Sequence, residues 1–312
     1  MIPYDPYVGY QHRYADSYAG LPVVEFAPEN QEIPDPASVA VRISSGWDDY
    51  AVEEAFDALL ARVDTARIPA LVIGGWEDCY ETSSEFIVGM LAGNAAWFPG
   101  LRSLFLGAIS GDEAEISWIR QSDVTPLLEA FPRLERLDVR GSDGLALRPV
   151  RHERLRVLRF ECGGLPAEVV RAVGESDLPA LEHLELWLGV EQYGGDAAVA
   201  DLAPILAGER LPALKRLGLC DSPAQDEIAA AVAAAPVVAR LEELSLSMGE
   251  LTDAGAEALL GGQPLTHLRR LDLHHHYLSE AMAARIVSAL PGVEVDLSER
   301  MPDYERYVAV SE

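Results

Sequence analysis

Residues 241–267 read LEELSLSMGELTDAGAEALLGGQPLTH, and residues 268–292 read LRRLDLHHHYLSEAMAARIVSALPG. Leu241, Leu244 and Leu246 recur 27 residues later as Leu268, Leu271 and Leu273. A second leucine follows each triplet, Leu251 or Leu278, and then a helical run. A strand-plus-helix unit repeated at this period cannot bury its apolar face alone. Stacked copies bury a continuous core, and the pattern predicts an α/β solenoid of leucine-rich repeats.

The same LxxLxL pattern starts at Leu101, Leu134, Leu155, Leu181, Leu214, Leu241 and Leu268, spaced by 33, 21, 26, 33, 27 and 27 residues. The 21-residue repeat from Leu134 has no room for a full helix, so residues 140–154 read as loop. The two 33-residue repeats carry insertions after Leu106 and Leu188. Upstream, residues 38–44 and 69–73 read as strands and residues 50–63 and 84–97 as helices, which gives two degenerate repeats. A last partial strand at 293–297 closes the array. These readings divide the chain into an extension at 1–37, a repeat domain at 38–299 and a tail at 300–312.

Helix signals agree with the repeat. Thr125 before Pro126 marks one start, and Pro166 opens another. Thr252 or Asp253 and Ser279 cap the two regular helices. Gly261–Gly262 and Pro291–Gly292 stop them. Helices between successive strands make the sheet parallel. Because helices are wider than strands, the stack is expected to curve into a horseshoe, with the sheet on its concave side. The extension holds Tyr4, Tyr7, Tyr10, Tyr14 and Tyr18 among prolines and acids, which suits a strap that caps the first end of the solenoid. Residues 307–310 form an apolar patch able to fold back onto the last repeat.

Composition narrows the function. The chain has 312 residues and a formal charge of −27. That charge opposes a phosphate backbone, so nucleic acid is not an expected partner. The apolar runs are too short and alanine-rich for a bilayer, and the first residues lack the pattern of a secretory signal. Cys79, Cys162 and Cys220 are far apart with no CxxC spacing, which fits a reducing cytoplasm and neither a disulfide framework nor a zinc site.

The segments 244–260, 74–81, 122–134 and 268–282, with the terminal RYVAVSE, resemble an uncharacterised family of bacterial cytoplasmic leucine-rich-repeat proteins. The repeats themselves are similar to the ribonuclease-inhibitor-like class. The resemblance supplies a fold but no activity and no catalytic residues, and the favoured expectation is a non-catalytic, cofactor-free protein-binding module. The resemblance also implies, as an alternative, an accessory subunit beside ATP-grasp-like or radical-SAM-like enzymes; a further alternative is an enzyme with its site in the tryptophan- and acid-bearing loops of the first third. One departure is visible: the Asn or Cys usual after LxxLxL is replaced by Ser142, Gly163, Gly189, Ser222, Gly249 and His276.

Side-chain alternation assigns the third, fifth and seventh repeat positions to the open face. These include five arginines (Arg136, Arg140, Arg159, Arg216, Arg270) and five acids (Asp138, Glu161, Glu185, Glu243, Asp272), so the face is nearly neutral. Opposite charges alternate between strands as Asp138–Arg159–Glu185, Arg140–Glu161 and Arg216–Glu243–Arg270, which is expected to keep an exposed sheet soluble. Phe105 and Trp187 are left without a pairing role. They are candidate anchors for a protein partner, with Arg159, His183, Arg216, Arg270 and His274 beside them. Cover by the extension or an insertion is the alternative for both aromatics.

Excess acid gathers in three loops leaving strand ends: residues 44–50 (SSGWDDY), 74–81 (GGWEDCYE) and 110–118 (SGDEAEISW). Trp47, Trp76, Asp78, Tyr80, Glu81 and Trp118 could receive a cationic segment by charge and cation–π contact. The plainer reading is solvated acids with tryptophans packed onto the fold. Three adjacent histidines, His274–His276, cannot share one ion while the chain is extended, because neighbours point to opposite faces. No GxSxG, Walker or GxGxxG motif occurs, so no catalytic residue, metal or cofactor is expected.

Overall fold

The computed structural model describes residues 16–29, 33, 35–45, 50–302 and 304–311. Its twelve strands join one sheet in chain order, and eight α-helices lie among the described residues. The chain divides into two compact units, Met1–Ala146 and Leu147–Glu312.

The first unit begins with a hairpin of β1 (Ser17–Tyr18) and β2 (Leu21–Glu25). Its two-residue turn, Ala19–Gly20, has positive φ at both positions, 52° and 78°. That is the turn whose twist matches paired strands. Strand β2 then runs parallel to β3 (Ala40–Ile43), and β4 (Ala70–Ile73), β5 (Ser103–Leu106) and β6 (Arg136–Arg140) follow in parallel. The connections carry α1 (Val52–Arg62), α2 (Glu85–Gly93) and α3 (Thr125–Ala130). Thr125 is the first residue of α3 and not its cap, and its amide donates to Asp123 Oδ1 at 2.9 Å.

The second unit runs β7 (Val157–Glu161), β8 (His183–Trp187), β9 (Arg216–Cys220), β10 (Glu243–Ser245), β11 (Arg270–Asp272) and β12 (Glu294–Asp296), all parallel. Its helices are α4 (Ala167–Glu175), α5 (Ala203–Ala207), α6 (Gln225–Ala233), α7 (Asp253–Gly261) and α8 (Glu280–Ala289). Thr252 accepts from Ala254 and Ser279 from Met282, the two caps the sequence indicates. Residues 141–156 carry no helix, as the 21-residue spacing requires.

Register keeps equivalent repeat positions level. His183, Arg216, Glu243, Arg270 and Glu294 align across β8 to β12. The first, fourth and sixth positions point inward: Leu214, Leu217, Leu219, Leu241, Leu244, Leu246, Leu268, Leu271 and Leu273 are all buried. Each such side chain contributes about 1.5–3 kcal/mol. At the eighth position the chain turns left-handed, at Gly141, Asp221, Met248 and His275. Polar side chains satisfy these turns where an asparagine ladder is missing. Gln121 donates to the Arg140 carbonyl at 2.7 Å, Gln225 to Leu219 at 2.9 Å, and His276 Nδ1 accepts from the Leu278 amide at 3.1 Å.

Candidate functional site

On the open face of the first unit, the hairpin lays Tyr18 across the sheet. Its ring packs with Ala40, Ala70 and Val72, and lies 5.7 Å from the ring of Phe105. The Arg136 guanidinium stacks 4.8 Å over Tyr18, and the Tyr18 hydroxyl donates to Asp138 Oδ2 at 2.9 Å. Asp138 is sealed from solvent and paired with Arg136 at 2.6 Å. Phe105 is therefore half-buried between Tyr18 of the extension and Arg140, whose guanidinium lies 5.4 Å over its ring. It is not an open anchor. Arg42, also buried, is held by Glu25 of β2 at 2.6 Å and reaches the Ala108 carbonyl at 3.3 Å. A side chain at Gly74 would collide with it, which explains that glycine beside the acidic loop.

The open face of the second unit is paired and largely closed. Trp187, a candidate anchor with cover as the alternative, is 1 % accessible, and its Nε1 donates to Glu185 at 3.1 Å. Arg159 binds Glu161 at 2.7 Å and Glu185 at 3.1 Å, and His183 lies 3.3 Å from Glu185. Burial alone would push the Glu185 carboxyl up, but Arg159 and then His183 outweigh it and hold it well below the usual carboxylate range. Arg159, His183 and Trp187 thus form one buried network, not a partner-facing cluster. Arg216 and Arg270 stay partly accessible. Arg216 pairs with Glu243 at 3.2 Å, and Arg270 with Asp296 at 3.2 Å.

The three histidines each have a protein partner. His274 Nδ1 meets Asp272 at 2.8 Å, His275 Nε2 meets the Tyr307 carbonyl at 2.9 Å, and His276 Nε2 meets the Leu297 carbonyl at 3.1 Å. Burial lowers the His274 value, but the Asp272 bond and charge outweigh it and leave it raised. All three cysteines are free thiols and buried. Burial pushes Cys79 up to about 11 and Cys220 up to about 12, so neither is a poised nucleophile.

At the strand ends of the first unit, two acidic loops meet. The Arg120 amide donates to the Cys79 carbonyl at 2.8 Å, and its guanidinium to the Glu81 carbonyl at 2.8 Å. Tyr80 and Trp118 flank this junction, 53 % and 52 % exposed. Glu77, Asp78 and Glu81 are exposed with them, and Glu115 is half-buried. The Tyr80 hydroxyl donates to Asp78 at 3.0 Å, which orients the ring. Trp76 is a correction: it is buried, its Nε1 donating to Thr82 at 2.7 Å, and it holds the loop from beneath. Trp47 and its neighbours Asp48 and Asp49 lie outside the described residues. The signal for Trp118 over Trp76 was not in composition. It depends on which tryptophan the loop tucks under itself.

These features define a repeating α/β protein with a mostly parallel twelve-stranded sheet of solenoid-like order. No helix among the described residues is long and apolar enough to cross a membrane. No family model matches the chain, and no curated protein does. Among solved structures it is similar to a Bacteroides fragilis protein determined as a structural-genomics target, at 30 % identity and a TM-score of 0.81. The match covers 88 % of this chain and 78 % of that one. At that identity and coverage the chain belongs to the same family as the Bacteroides protein.

Proposed function

We propose that this chain is a leucine-rich-repeat protein of the ribonuclease-inhibitor-like kind, acting without catalysis as a cytoplasmic docking module for a basic protein segment. The observation that carries the reading is the pair of exposed aromatics, Tyr80 and Trp118, set at one loop junction among exposed carboxylates. An aromatic face surrounded by negative charge attracts arginine or lysine through cation–π and ionic contact together. Apolar rings left in water at a junction fixed by backbone hydrogen bonds need little reorganisation on binding. The sheet face is the weaker surface. Trp187 is buried, Phe105 is half-buried under Tyr18, and Arg159, Arg216 and Arg270 are paired within the chain.

The test is binding of a fluorescent arginine-rich peptide, followed by anisotropy, to the wild type, to a Y80A/W118A variant and to an R216A/R270A variant. Loss of at least tenfold in the first variant only, with affinity falling as salt rises, supports the acidic edge. Equal loss in the second variant, or none in the first, refutes it. Pull-down with mass spectrometry then identifies the natural partner.

A further inference from the structure

The tail reaches further than its last repeat. Residues 307–310 cross the strand-end turns of three successive repeats. The Tyr277 hydroxyl donates to the Tyr307 carbonyl and accepts from the Tyr307 amide, both at 2.8 Å. The Ala309 amide donates to the Met248 carbonyl at 2.7 Å, and the Val310 amide to Asp221 Oδ1 at 2.9 Å. Val308 and Val310 are buried while Tyr307 and Ala309 face solvent, the alternation of an extended peptide in a groove. The turn residues met on the way, His275, Met248 and Asp221, are the left-handed eighth positions of their repeats.

Asp221 at the end of this path is fully buried. Its Oδ2 has no hydrogen-bond partner among the described residues, and neither has Oε1 of Gln225, four residues on. A carboxylate closed off with one bare oxygen and no cation is a poor resting state, whereas the neutral acid is not. We propose that residues 307–311 form a releasable clasp over the strand-end turns after β9, β10 and β11, which closes with uptake of a proton on Asp221. Release would uncover the turn residues beside a cleft of about 340 Å³ lined by Thr252, Tyr277, Ser279, Arg300 and Arg306.

The charge state of Asp221 follows from its surroundings. Burial raises it well above the ordinary carboxylate value, against the smaller opposing effect of the Val310 and Ala309 amides. The elements packed on it offer Gly189, Ser247, Ala309 and Val310 backbone, none of which titrates. Among the described residues, the titratable groups on those elements include Cys220 of β9, Glu191 and Asp196 after β8, Glu250 after β10, and Tyr304, Glu305, Arg306 and Tyr307 of the tail. Glu250 is acted on by Arg306. His275 also touches the tail, but its Nε2–H serves as donor in the neutral ring of that tautomer and in the charged one, so protonation does not break the contact. An acid whose value is raised in the closed state binds more protons there. Closure is favoured at low pH and weakens as pH rises from the ordinary carboxylate value to the raised one.

Hydrogen exchange tests this on the full chain between pH 5 and 8. The readout is the protection factor of the Ala309 and Val310 amides, with intrinsic exchange divided out. Protection is expected to fall by up to about tenfold per pH unit, and to level off above the closed-state value. The D221N variant keeps the shape without the proton, so its protection stays flat across the range. H275Q keeps a donor and must retain the wild-type slope. A flat wild type, a slope surviving in D221N, or a slope lost in H275Q overturns the proposal. If D221N does not fold, the wild-type slope is compared with the Arg270–Asp272 amides of β11, and equal slopes there overturn it as well.

Discussion

Replacing Tyr18 by phenylalanine removes one oxygen from the first unit and leaves everything else in place. That oxygen donates at 2.9 Å to a fully buried carboxylate, Asp138. A hydrogen bond to a charged buried group contributes about 1.5–3 kcal/mol. Asp138 keeps both of its bonds to Arg136, at 2.6 and 3.2 Å, so the lower end applies and Y18F should cost about 1.5 kcal/mol. Y18A also removes the ring that covers Phe105 and carries the Arg136 guanidinium, and by analogy with buried Phe→Ala changes it should cost about 3–5 kcal/mol. The assay is urea unfolding followed by tryptophan emission. Trp47, Trp76, Trp97 and Trp118 precede Ala146, so emission mainly follows the first unit, whereas Trp187 is the sole tryptophan of the second. With a urea slope of about 1–3 kcal/mol per M, Y18F should lower the midpoint by about 0.5–1.5 M and Y18A by more. An unchanged Y18F midpoint, with Y18A no worse, would mean that the hairpin does not cap the first unit. If Y18A instead lost partner binding at full stability, the extension would be an interface and not a cap.

Other substitutions probe the second unit and the acidic edge. Trp187→Ala should cost about 3–5 kcal/mol in denaturant unfolding while leaving peptide affinity unchanged, because the ring is packed and not presented. Y80A/W118A should do the reverse, with stability within about 0.5 kcal/mol of wild type. The raised value of His274 makes its contribution complete below the ordinary histidine value and lost as pH rises through the raised one. H274Q should therefore flatten that part of the stability–pH curve, and a curve identical to wild type would remove the Asp272–His274 pair from the account. Thiol labelling of native protein should be slow at neutral pH, with all three cysteines reacting only after denaturation; a fast-reacting thiol would contradict the burial of Cys79 and Cys220.

The two strand-end edges suggest a division of roles within the chain. In the first unit the loops after β4 and β5 leave aromatics and acids exposed. In the second unit the turns after β9 to β11 are occupied by the chain's own tail. The helices and the inward leucines are the same kind of scaffold in both.

The sequence by itself determined the rhythm of the fold. A leucine triplet every 21 to 33 residues places seven of the twelve strands, β5 to β11, and helical runs with Thr252 and Ser279 as caps place the two regular helices between them. Side-chain alternation also determined which residues share a face, and the register confirms that third positions lie level. Alternation is a property of local backbone geometry, so it is legible in one strand. How deeply a face is covered is not local. Phe105 and Trp187 sit on the open face as expected, yet one lies under a tyrosine 87 residues upstream and the other is closed in beside Glu185 and Arg159. The Tyr18–Asp138 bond spans 120 positions and the Val310–Asp221 bond spans 89, and no periodicity in the chain marks either pairing. The same limit applies to the acidic loops, where composition alike in Trp76 and Trp118 gave one buried ring and one exposed ring. The tertiary structure decided these because burial depends on which distant segment folds over a face, and that is set by the summed packing and hydrogen bonding of the whole unit.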